Sequence, residues 1–357
     1  MRVLVIGGTG FIGPHLVREL SRLGHSVTVL HRGQTNLKLP AEEILGDRRD
    51  LAALRPRTDV VIDLILSSGA QARSLMDAFR GIARRVVAAS SGDVYRACGV
   101  LHRSADGPLQ SVPLTEDSEL RSKPQTYPAA QMAMLKKLFG WLDDDYDKIP
   151  VERAVMGDAQ LPGTIVRLPM IYGPGDHLHR FHPILKRIDD GRSCILFEEG
   201  WAAWRGPRGY VENVAAALAL AAVSDKAAGR VYNFAERPAF SELEWARKIA
   251  AATGWDGRFM ILAADRMPAH LVQPGNSAQH TGKWIRRASA RNSDTTSACR
   301  WMKRSGAPSP GSARTRPANS TSGRSITKRR TARFRPDVAC KRRERVRQRL
   351  CMAQLAA

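Results

Sequence analysis

A short apolar run followed at once by three evenly spaced glycines constrains this chain more than any other feature. The apolar run is Arg2-Val3-Leu4-Val5-Ile6, and the segment after it is Gly7-Gly8-Thr9-Gly10-Phe11-Ile12-Gly13. A helical spacing of apolar residues begins next, and residues 26–30 form a second strand pattern. A strand, a glycine turn and a helix in this order predict the first unit of a parallel sheet that binds a dinucleotide.

Each glycine of the turn has its own physical role. Gly7 permits the tight turn, Gly10 lets the backbone approach a pyrophosphate, and Gly13 lets the helix pack closely on the strand. The start of the helix offers free N–H groups and a partial positive charge to phosphate oxygens. We therefore expect a bound cofactor to contact the residues of this turn, namely Gly7, Thr9, Gly10, Phe11, Ile12 and Gly13. The alternative interpretation is a glycine-rich turn without a ligand.

Three more apolar runs predict strands that are buried on both faces. They cover residues 59–65, 85–89 and 163–168, and helical patterns separate them. Strands that alternate with helices predict an α/β fold with a doubly wound parallel sheet. Ligands of such sheets lie at the carboxyl ends of the strands.

Charge is distributed unevenly along the 357 residues. The formal net charge is +22, and residues 281–357 alone hold 21 Lys and Arg against 3 Asp and Glu, an excess of 18 positive charges. The first 280 residues carry an excess of only four. A basic tail of this kind is typical of nucleic-acid binding. Because the apolar periodicity stops near Thr281, we expect the tail to be disordered rather than packed as a domain.

The genetic code supplies a second interpretation of the tail. When the last base of each codon is joined to the first two bases of the next, Trp284-Ile285 and Trp301-Met302 must both give aspartate, and Met302-Lys303 must give glutamate. With GC-rich codons elsewhere, the shifted frame has acidic residues and helical periodicity. A frameshift in the gene, or an error in its sequence, then explains the tail without any function. Sequencing this region decides the matter, because an unshifted reading frame excludes the second interpretation.

The remaining composition indicates a reducing compartment. Three of the five cysteines lie in the tail, while Cys98 and Cys194 are isolated, which predicts neither a disulfide framework nor a cysteine metal site. No apolar run is long enough to span a bilayer, and the first strand pattern begins at residue 2, so we expect no signal peptide. These observations predict a cytoplasmic location and no membrane partner.

Several motifs together resemble those of the extended branch of the short-chain dehydrogenase/reductase superfamily, the NAD-dependent epimerases and dehydratases. They are the glycine turn, Ser90-Ser91-Gly92-Asp93-Val94-Tyr95, and Tyr172-Gly173-Pro174-Gly175-Asp176 after a buried strand. The resemblance extends from the first residue to about residue 280. It implies a Rossmann domain in residues 1–170, whose sheet is completed by later segments, and a substrate-binding subdomain in residues 171–280.

By this resemblance, the residues after the second and third strands contact the adenosine half of the cofactor. An acidic residue at the end of the second strand would accept hydrogen bonds from ribose hydroxyls, whereas His31-Arg32-Gly33 has no carboxylate. Arg32 can accommodate a 2′-phosphate, so the expected cofactor is NAD(P), with NADP favoured. The alternative is that Arg32 is a solvated surface residue. Asp47 and Arg48 are expected to flank the adenine.

The catalytic groups of the family correspond here to Ser91, Lys148 and a tyrosine. Ser91 takes the position of the serine that hydrogen-bonds the reacting oxygen of the substrate; the alternative is a strand end that caps the next turn. The family lysine binds the ribose and lowers the pKa of a tyrosine four residues before it. Lys148 matches that lysine, but Asp144 stands at the tyrosine position. This departure puts ordinary redox turnover in doubt.

Two tyrosines remain as candidates for the acid/base group. Tyr146 is two residues from Lys148, which is the opposite face of a regular helix. Because proline lacks an N–H group, Pro150 predicts a helix that starts near Asp147, and Tyr146 outside that helix can still reach the site. Tyr127 is the other candidate, with no lysine four residues beyond it. We assign the catalytic role to Tyr146.

The second half of the chain carries the candidate substrate contacts. By resemblance these are Tyr172, Arg205 and Arg208, and the arginines are suited to bidentate contacts with a diphosphate. The alternative for the arginines is an exposed basic loop. Three histidines lie between residues 177 and 182, but without a carboxylate or cysteine at a suitable spacing they predict no metal site.

Together these interpretations predict an NAD(P)-dependent epimerase, dehydratase or reductase that acts on a nucleotide-sugar-like substrate by hydride transfer. The alternative is a cofactor-binding protein with a degenerate active site, which acts as a redox-responsive or RNA-associated module. The expected partners are the small-molecule substrate and, as the candidate assembly, a second copy of the chain in a homodimer. Nucleic acid is not an expected partner.

Overall fold

The computed structural model describes residues 1–271 except 36–37, 102–106, 109, 125–126 and 128. The predictions for residues 281–357, disorder or a shifted reading frame, lie outside the described residues. Within the described residues, no helix combines the length and the apolar character that crossing a bilayer requires.

The strands of this part of the chain are β1 (Arg2–Ile6), β2 (Ser26–His31), β3 (Glu42–Leu45), β4 (Val60–Asp63), β5 (Arg85–Ser91), β6 (Gly163–Leu168), β7 (Met170–Tyr172), β8 (Cys194–Glu198), β9 (Arg208–Tyr210), β10 (Arg230–Asn233) and β11 (Arg258–Leu262). The helices are α1 (Gly13–Arg22), α2 (Leu51–Leu54), α3 (Gly69–Phe79), α4 (Arg96–Leu101), α5 (Ala129–Leu138), α6 (Lys148–Met156), α7 (His182–Asp189), α8 (Glu199–Ala203), α9 (Val211–Val223) and α10 (Glu242–Thr253).

Seven of these strands form one sheet in the order β10-β6-β5-β4-β1-β2-β3. Every neighbouring pair in this sheet is parallel. The strand order reverses between β1 and β4, and ligands of open α/β sheets bind at such a point, outside the carboxyl ends of the strands. The predicted doubly wound α/β fold is confirmed.

The glycine turn explains how β1 passes directly into α1. Gly7 has a φ of 83°, a left-handed conformation that glycine adopts without steric cost. A Cβ atom at Gly13 would lie 2.3 Å from the carbonyl oxygen of Gly8, so only glycine allows the helix to approach the strand this closely. Pro14 follows in the first turn of the helix, where its missing N–H group is not needed.

Helices cover both faces of the large sheet and bury its apolar side chains. On one face α1 and α9 contribute Leu16 and Leu218 to the core, and on the other α3 and α6 contribute Leu75 and Val155. A third apolar cluster lies in the second half of the chain and includes Phe181.

Residues 171–271 contribute to two regions of the molecule. Helix α9 packs on the large sheet and β10 forms its edge, whereas α7, α8 and α10 surround the third apolar cluster with the parallel pair β8 and β11. Residues 171–271 therefore contribute both to the large sheet and to a separate apolar cluster. The division into a Rossmann domain and a substrate subdomain stays a prediction.

Candidate active site

A cleft of about 720 Å³ opens at the carboxyl end of β1. Its walls come from the glycine turn, the end of β2, residues 46–49, residues 138–143 and the loop after β7. A volume of this size lies within the range of about 300–1,000 Å³ that is usual for small-molecule and cofactor sites. The cleft also lies at the switch point of the sheet, where the sequence predicted a ligand.

The residues at the base of the cleft fit a dinucleotide diphosphate. Thr9, Gly10, Phe11 and Ile12 all line it. Ile12 is the N-cap residue of α1 and has no side-chain capping bond, so backbone N–H groups of the first turn stay available for phosphate oxygens. Gly10 donates its N–H group to the carbonyl of Gly7 at 3.1 Å, which keeps the turn closed. Five of the six predicted residues of the turn, Gly7, Thr9, Gly10, Phe11 and Ile12, thus line one surface, whereas Gly13 is buried and does not line the cleft.

The end of the cleft at which the adenosine is expected contains three arginines. Arg32 is exposed, lines the cleft and donates to the carbonyl of Gly140 at 3.5 Å. Asp47 accepts hydrogen bonds from the backbone and side chain of Arg49, which lower its pKa to about 2. Arg48 forms a buried ion pair with Asp63 at 3.0 Å. Asp47 and Arg48 both line the cleft at the place expected for the adenine.

Lys148 is buried at the carboxyl ends of β4 and β5. Its ammonium group donates to the carbonyl of Leu66 and, at 3.1 Å, to that of Ala89. The rings of Trp141 and Tyr146 lie 5.8 Å and 5.9 Å from the ammonium nitrogen. Burial lowers the pKa of Lys148 to about 8. Trp141 lines the cleft, whereas Lys148, Tyr146 and Ser91 do not.

The two candidate tyrosines lie side by side. Their rings are stacked, with centroids 6.1 Å apart, and both hydroxyl groups donate to the same carboxylate oxygen of Asp93, at 3.0 Å for Tyr146 and 3.3 Å for Tyr127. Helix α6 begins at Lys148 with Asp147 as its N-cap, as Pro150 predicted, and Tyr146 lies outside it. Removing Tyr146 from the helix is what brings it beside Lys148.

The expected lowering of the tyrosine pKa by the lysine does not occur in this arrangement. Burial raises the pKa of Tyr146 well above its ordinary value, and the nearby Asp93 carboxylate raises it further. The phenol is buried beside a carboxylate, and both raise its pKa in this structure. The role of Tyr146 as the acid/base group stays a prediction.

Asp93 is a site residue that the sequence analysis did not identify. It is 6% exposed, burial raises its pKa, and its second oxygen has no hydrogen-bond partner in the described part of the chain. The signal was available, since Asp93 is the charged residue inside the Ser-Ser-x-x-Val-Tyr motif, and a carboxylate in a buried segment needs a partner.

Ser91 ends β5 in a capping arrangement. Its hydroxyl oxygen accepts a hydrogen bond from the backbone N–H group of Asp93 at 3.2 Å. This is the geometry of the structural alternative, and the side chain is half-buried next to the Asp93 cluster. Its role toward the substrate stays a prediction.

The three residues predicted to bind substrate do not line the cleft. The hydroxyl of Tyr172 donates to Glu236 at 3.0 Å, and its ring is fully buried in the third apolar cluster. Arg205 forms an ion pair with Glu244 at 2.6 Å, and Arg208 forms one with Glu242. The guanidinium groups are therefore already engaged by acidic residues, which the sequence analysis did not pair with them.

The comparison with protein families agrees with this geometry. The sequence profile of the NAD dependent epimerase/dehydratase family matches residues 3–235, which is more than half of the chain. The chain belongs to this family. The resemblance inferred from the motifs is confirmed, and with it membership in a family of NAD-dependent enzymes.

Individual relatives are distant. The 2'-dehydrokanamycin reductase of Streptomyces kanamyceticus is 26% identical over 323 residues, which cover 79% of this chain and 83% of the reductase. UDP-N-acetylglucosamine 4-epimerase from Bacillus cereus has a TM-score of 0.55 at 16% identity, with 75% of this chain and 88% of the epimerase covered. UDP-glucuronic acid 4-epimerase from Bacillus cereus, solved with UDP-glucuronic acid and NAD, has a TM-score of 0.53 at 19% identity, with 74% and 86% covered. These structural similarities support the Rossmann fold.

Proposed function

We propose that the protein is an NAD(P)-dependent oxidoreductase that transfers a hydride to or from a carbon of a sugar-type substrate. The observation that supports this most is the arrangement at the carboxyl ends of the strands. A cleft that fits a dinucleotide begins at the glycine turn, and Trp141, one of its lining residues, contacts the cluster of Lys148, Tyr146 and Asp93.

In this proposal the nicotinamide supplies or accepts the hydride when it is bound. Lys148 holds the ribose hydroxyls, since it is the buried ammonium group at the end of β5. Asp93 orients the phenol of Tyr146, and Ser91 hydrogen-bonds the reacting oxygen of the substrate. Tyr146 is the acid/base group of this proposal, and in the structure its hydroxyl donates to Asp93 at 3.0 Å.

The preferred cofactor in this proposal is NADP. Arg32 is exposed at the end of β2 and lines the adenosine end of the cleft, where no described carboxylate replaces it. A guanidinium group at this position binds a 2′-phosphate through charge-assisted hydrogen bonds.

The first candidate substrate is a nucleotide sugar, the substrate named for the epimerase structures. A sugar without a nucleotide is the second candidate, and a specific observation favours it. Arg205 and Arg208, expected to bind a substrate diphosphate, are paired with Glu244 and Glu242 instead. The name of the Streptomyces kanamyceticus reductase likewise refers to a substrate other than a nucleotide sugar.

Titration of the full chain with NADPH and NADH tests the cofactor part of the proposal. We expect NADPH to bind more tightly, and Arg32→Ala to weaken NADPH binding about tenfold or more while NADH binding stays unchanged, because one charge-assisted contact contributes about 1.5–3 kcal/mol. Cofactor fluorescence measures both affinities. Equal loss for both cofactors would contradict the role of Arg32, and no binding of either would contradict the function.

Turnover completes this test. NADPH consumption is followed with a panel of keto-sugars, with and without a nucleotide, for the native chain and for Lys148→Met and Ser91→Ala. Circular dichroism confirms that each variant is folded. If the protein is an enzyme, the native chain turns over and both variants lose turnover. If it is a binding module with a degenerate site, the native chain binds the cofactor tightly, and neither the native chain nor either variant shows turnover.

A further inference from the structure

Arginines line both walls of the cleft, and they differ in their ion-pair partners and in the N–H groups that stay free. Arg48 and Arg49, at the adenosine end, are paired with Asp63 and Asp47. Arg180 lies on the opposite wall, in the loop that follows β7. The sequence motifs do not include it, and no role in the proposed function depends on it.

The loop that carries Arg180 packs directly against the glycine turn. The rings of Phe11 and His177 meet edge to face, with centroids 6.3 Å apart. A Cβ atom at Gly175 would lie 3.6 Å from the ring of Phe11, and the imidazole of His15 in α1 contacts the backbone of Pro174. The part of a bound dinucleotide nearest to this loop is therefore the diphosphate at the start of α1.

One arm of the Arg180 guanidinium is fixed by the protein. Its Nη1 donates to the carbonyl of Ile171 at 2.6 Å and to the carboxylate of Asp176 at 2.9 Å. Its Nε and Nη2 have no hydrogen bond within the described residues. The side chain is only 22% exposed, so the free arms are held in a partly buried position on the wall of the cleft.

The carboxylate of Asp176 lies beside the guanidinium, where it is the ion-pair partner of Arg180. Its two carboxylate oxygens accept hydrogen bonds from the backbone N–H groups of Leu178 and Arg180 as well as from the guanidinium. The carboxylate is thus satisfied inside the loop, and its effect is to hold the guanidinium in one orientation. A pre-oriented guanidinium loses little conformational entropy when it binds a phosphate.

We propose that Arg180 is a cofactor-binding residue that contacts the diphosphate of NAD(P) from the wall opposite the α1 N-terminus. The backbone N–H groups of the glycine turn bind one side of the diphosphate, and the free arms of Arg180 bind the other. This inference rests on the proposed function, because it requires a dinucleotide in the cleft. It also means that cofactor binding joins the loop after β7 to the Rossmann sheet.

Calorimetric titration of the full chain tests the inference with ligands that differ in the diphosphate. The ligands are NADPH, ADP-ribose, which keeps the diphosphate, and adenosine, which lacks it and is measured by competition. The variants are Arg180→Met and Arg180→Gln, and the second keeps a hydrogen-bond donor for Ile171 should the first fail to fold. The matched control is Arg187→Met, an arginine of α7 that does not line the cleft and donates to Pro183 at 2.6 Å.

We expect Arg180→Met to weaken NADPH and ADP-ribose binding about 10- to 100-fold, as loss of a charge-assisted contact predicts. Adenosine binding stays within about twofold, and Arg187→Met changes none of the three affinities. For Arg180→Gln we expect the same ratio of ADP-ribose affinity to adenosine affinity as for Arg180→Met.

Two results overturn the inference. In the first, NADPH and ADP-ribose bind both Arg180 variants as tightly as the native chain. In the second, adenosine affinity falls as much as ADP-ribose affinity, which indicates a general distortion of the cleft. If the native chain itself binds no dinucleotide, the proposed function has failed instead, so the two failures are distinguishable.

Discussion

A single buried carboxylate controls what the two candidate tyrosines can do. Asp93 accepts from both phenols through one oxygen while its other oxygen has no partner among the described residues. Burial raises the pKa of Asp93, and the charges of Arg121 and Lys148 offset only part of that rise. The phenol of Tyr146 thus donates to a carboxyl group whose pKa is itself perturbed by burial. Perturbed pKa values are common at functional sites.

The raised pKa of Asp93 predicts how stability depends on pH. Its ordinary value is 3.8, and the folded state retains the proton at higher pH than the unfolded chain does. Between the unfolded-state and the folded-state pKa of Asp93, the unfolded chain therefore binds fewer protons than the folded chain. The contribution of Asp93 to the free energy of unfolding is full below pH ~4 and is lost as pH rises through the folded-state pKa. Asp93→Asn should gain stability relative to the native chain between pH ~4 and pH ~7, by about 1.4 kcal/mol per unit of raised pKa.

Urea unfolding at pH ~4 and at pH ~7 measures the difference in the free energy of unfolding between Asp93→Asn and the native chain. The matched control is Asp117→Asn, which replaces an exposed aspartate and should leave the pH dependence unchanged. A difference between Asp93→Asn and the native chain that does not change with pH would contradict the prediction.

At the scale of elements, local patterns in the sequence predicted the sheet well and the walls of the cleft poorly. β6 has the predicted bounds, and α6 starts where Pro150 required. α10 likewise begins with a local signal, the capping box of Ser241 and Glu244. These features depend on neighbouring residues alone. The pairing of Arg205 with Glu244 and of Arg208 with Glu242 joins residues 39 and 34 positions apart, and no local pattern reports such contacts.

The position of residues 138–143 could not be predicted from local sequence patterns either. Its sequence has no motif, yet it forms one wall of the cleft. Ser67 accepts from the backbone of Asp143 at 3.0 Å, and Ser68 donates to the Asp143 carboxylate at 2.6 Å, so the end of β4 fixes the segment in place. Only the fold brings these residues together.

Trp141 in this segment should report on cofactor binding. Its ring lines the cleft and lies 5.8 Å from the ammonium nitrogen of Lys148, so a cofactor that fills the cleft changes the environment of the indole. We expect NADP⁺, which does not fluoresce, to change the tryptophan emission of the native chain, and Trp141→Phe to lose most of that change. Trp255→Phe is the control, because Trp255 donates to the carbonyl of Arg192 and does not line the cleft. An unchanged response in Trp141→Phe would mean that the environment of this indole does not change.

At the scale of the whole molecule, a buried ion pair joins the site to the rest of the sheet. Arg167 of β6 makes a two-armed contact with Glu152 of α6, and it also donates to the hydroxyl of Tyr95 at 2.8 Å. Glu152 accepts from Ser90 of β5 at 2.6 Å, and Tyr95 donates to Asn233 of β10 at 2.6 Å. The motif residues therefore connect three adjacent strands to the helix that begins with Lys148.

The structural role of Glu152 could not be predicted from its neighbours in the sequence. Glu152 lies four residues after Lys148 in α6, whereas its partner Arg167 comes from a strand 15 residues later. Both side chains are less than 8% exposed. A charge that is this deeply buried is stable only when it is paired, so the two residues act as a unit.

Glu152→Gln should therefore destabilise the protein strongly. It leaves the Arg167 charge buried without a counter-charge, and breaking a buried pair in this way costs about 3–5 kcal/mol. Urea unfolding at neutral pH measures the loss. The control is Glu119→Gln, which breaks the pair between Arg96 and a glutamate that is 65% exposed, and such surface pairs contribute about 0–1 kcal/mol. If Glu152→Gln cost no more than Glu119→Gln, apolar packing alone would hold α6 on the sheet, and the position of Lys148 would not depend on the ion pair.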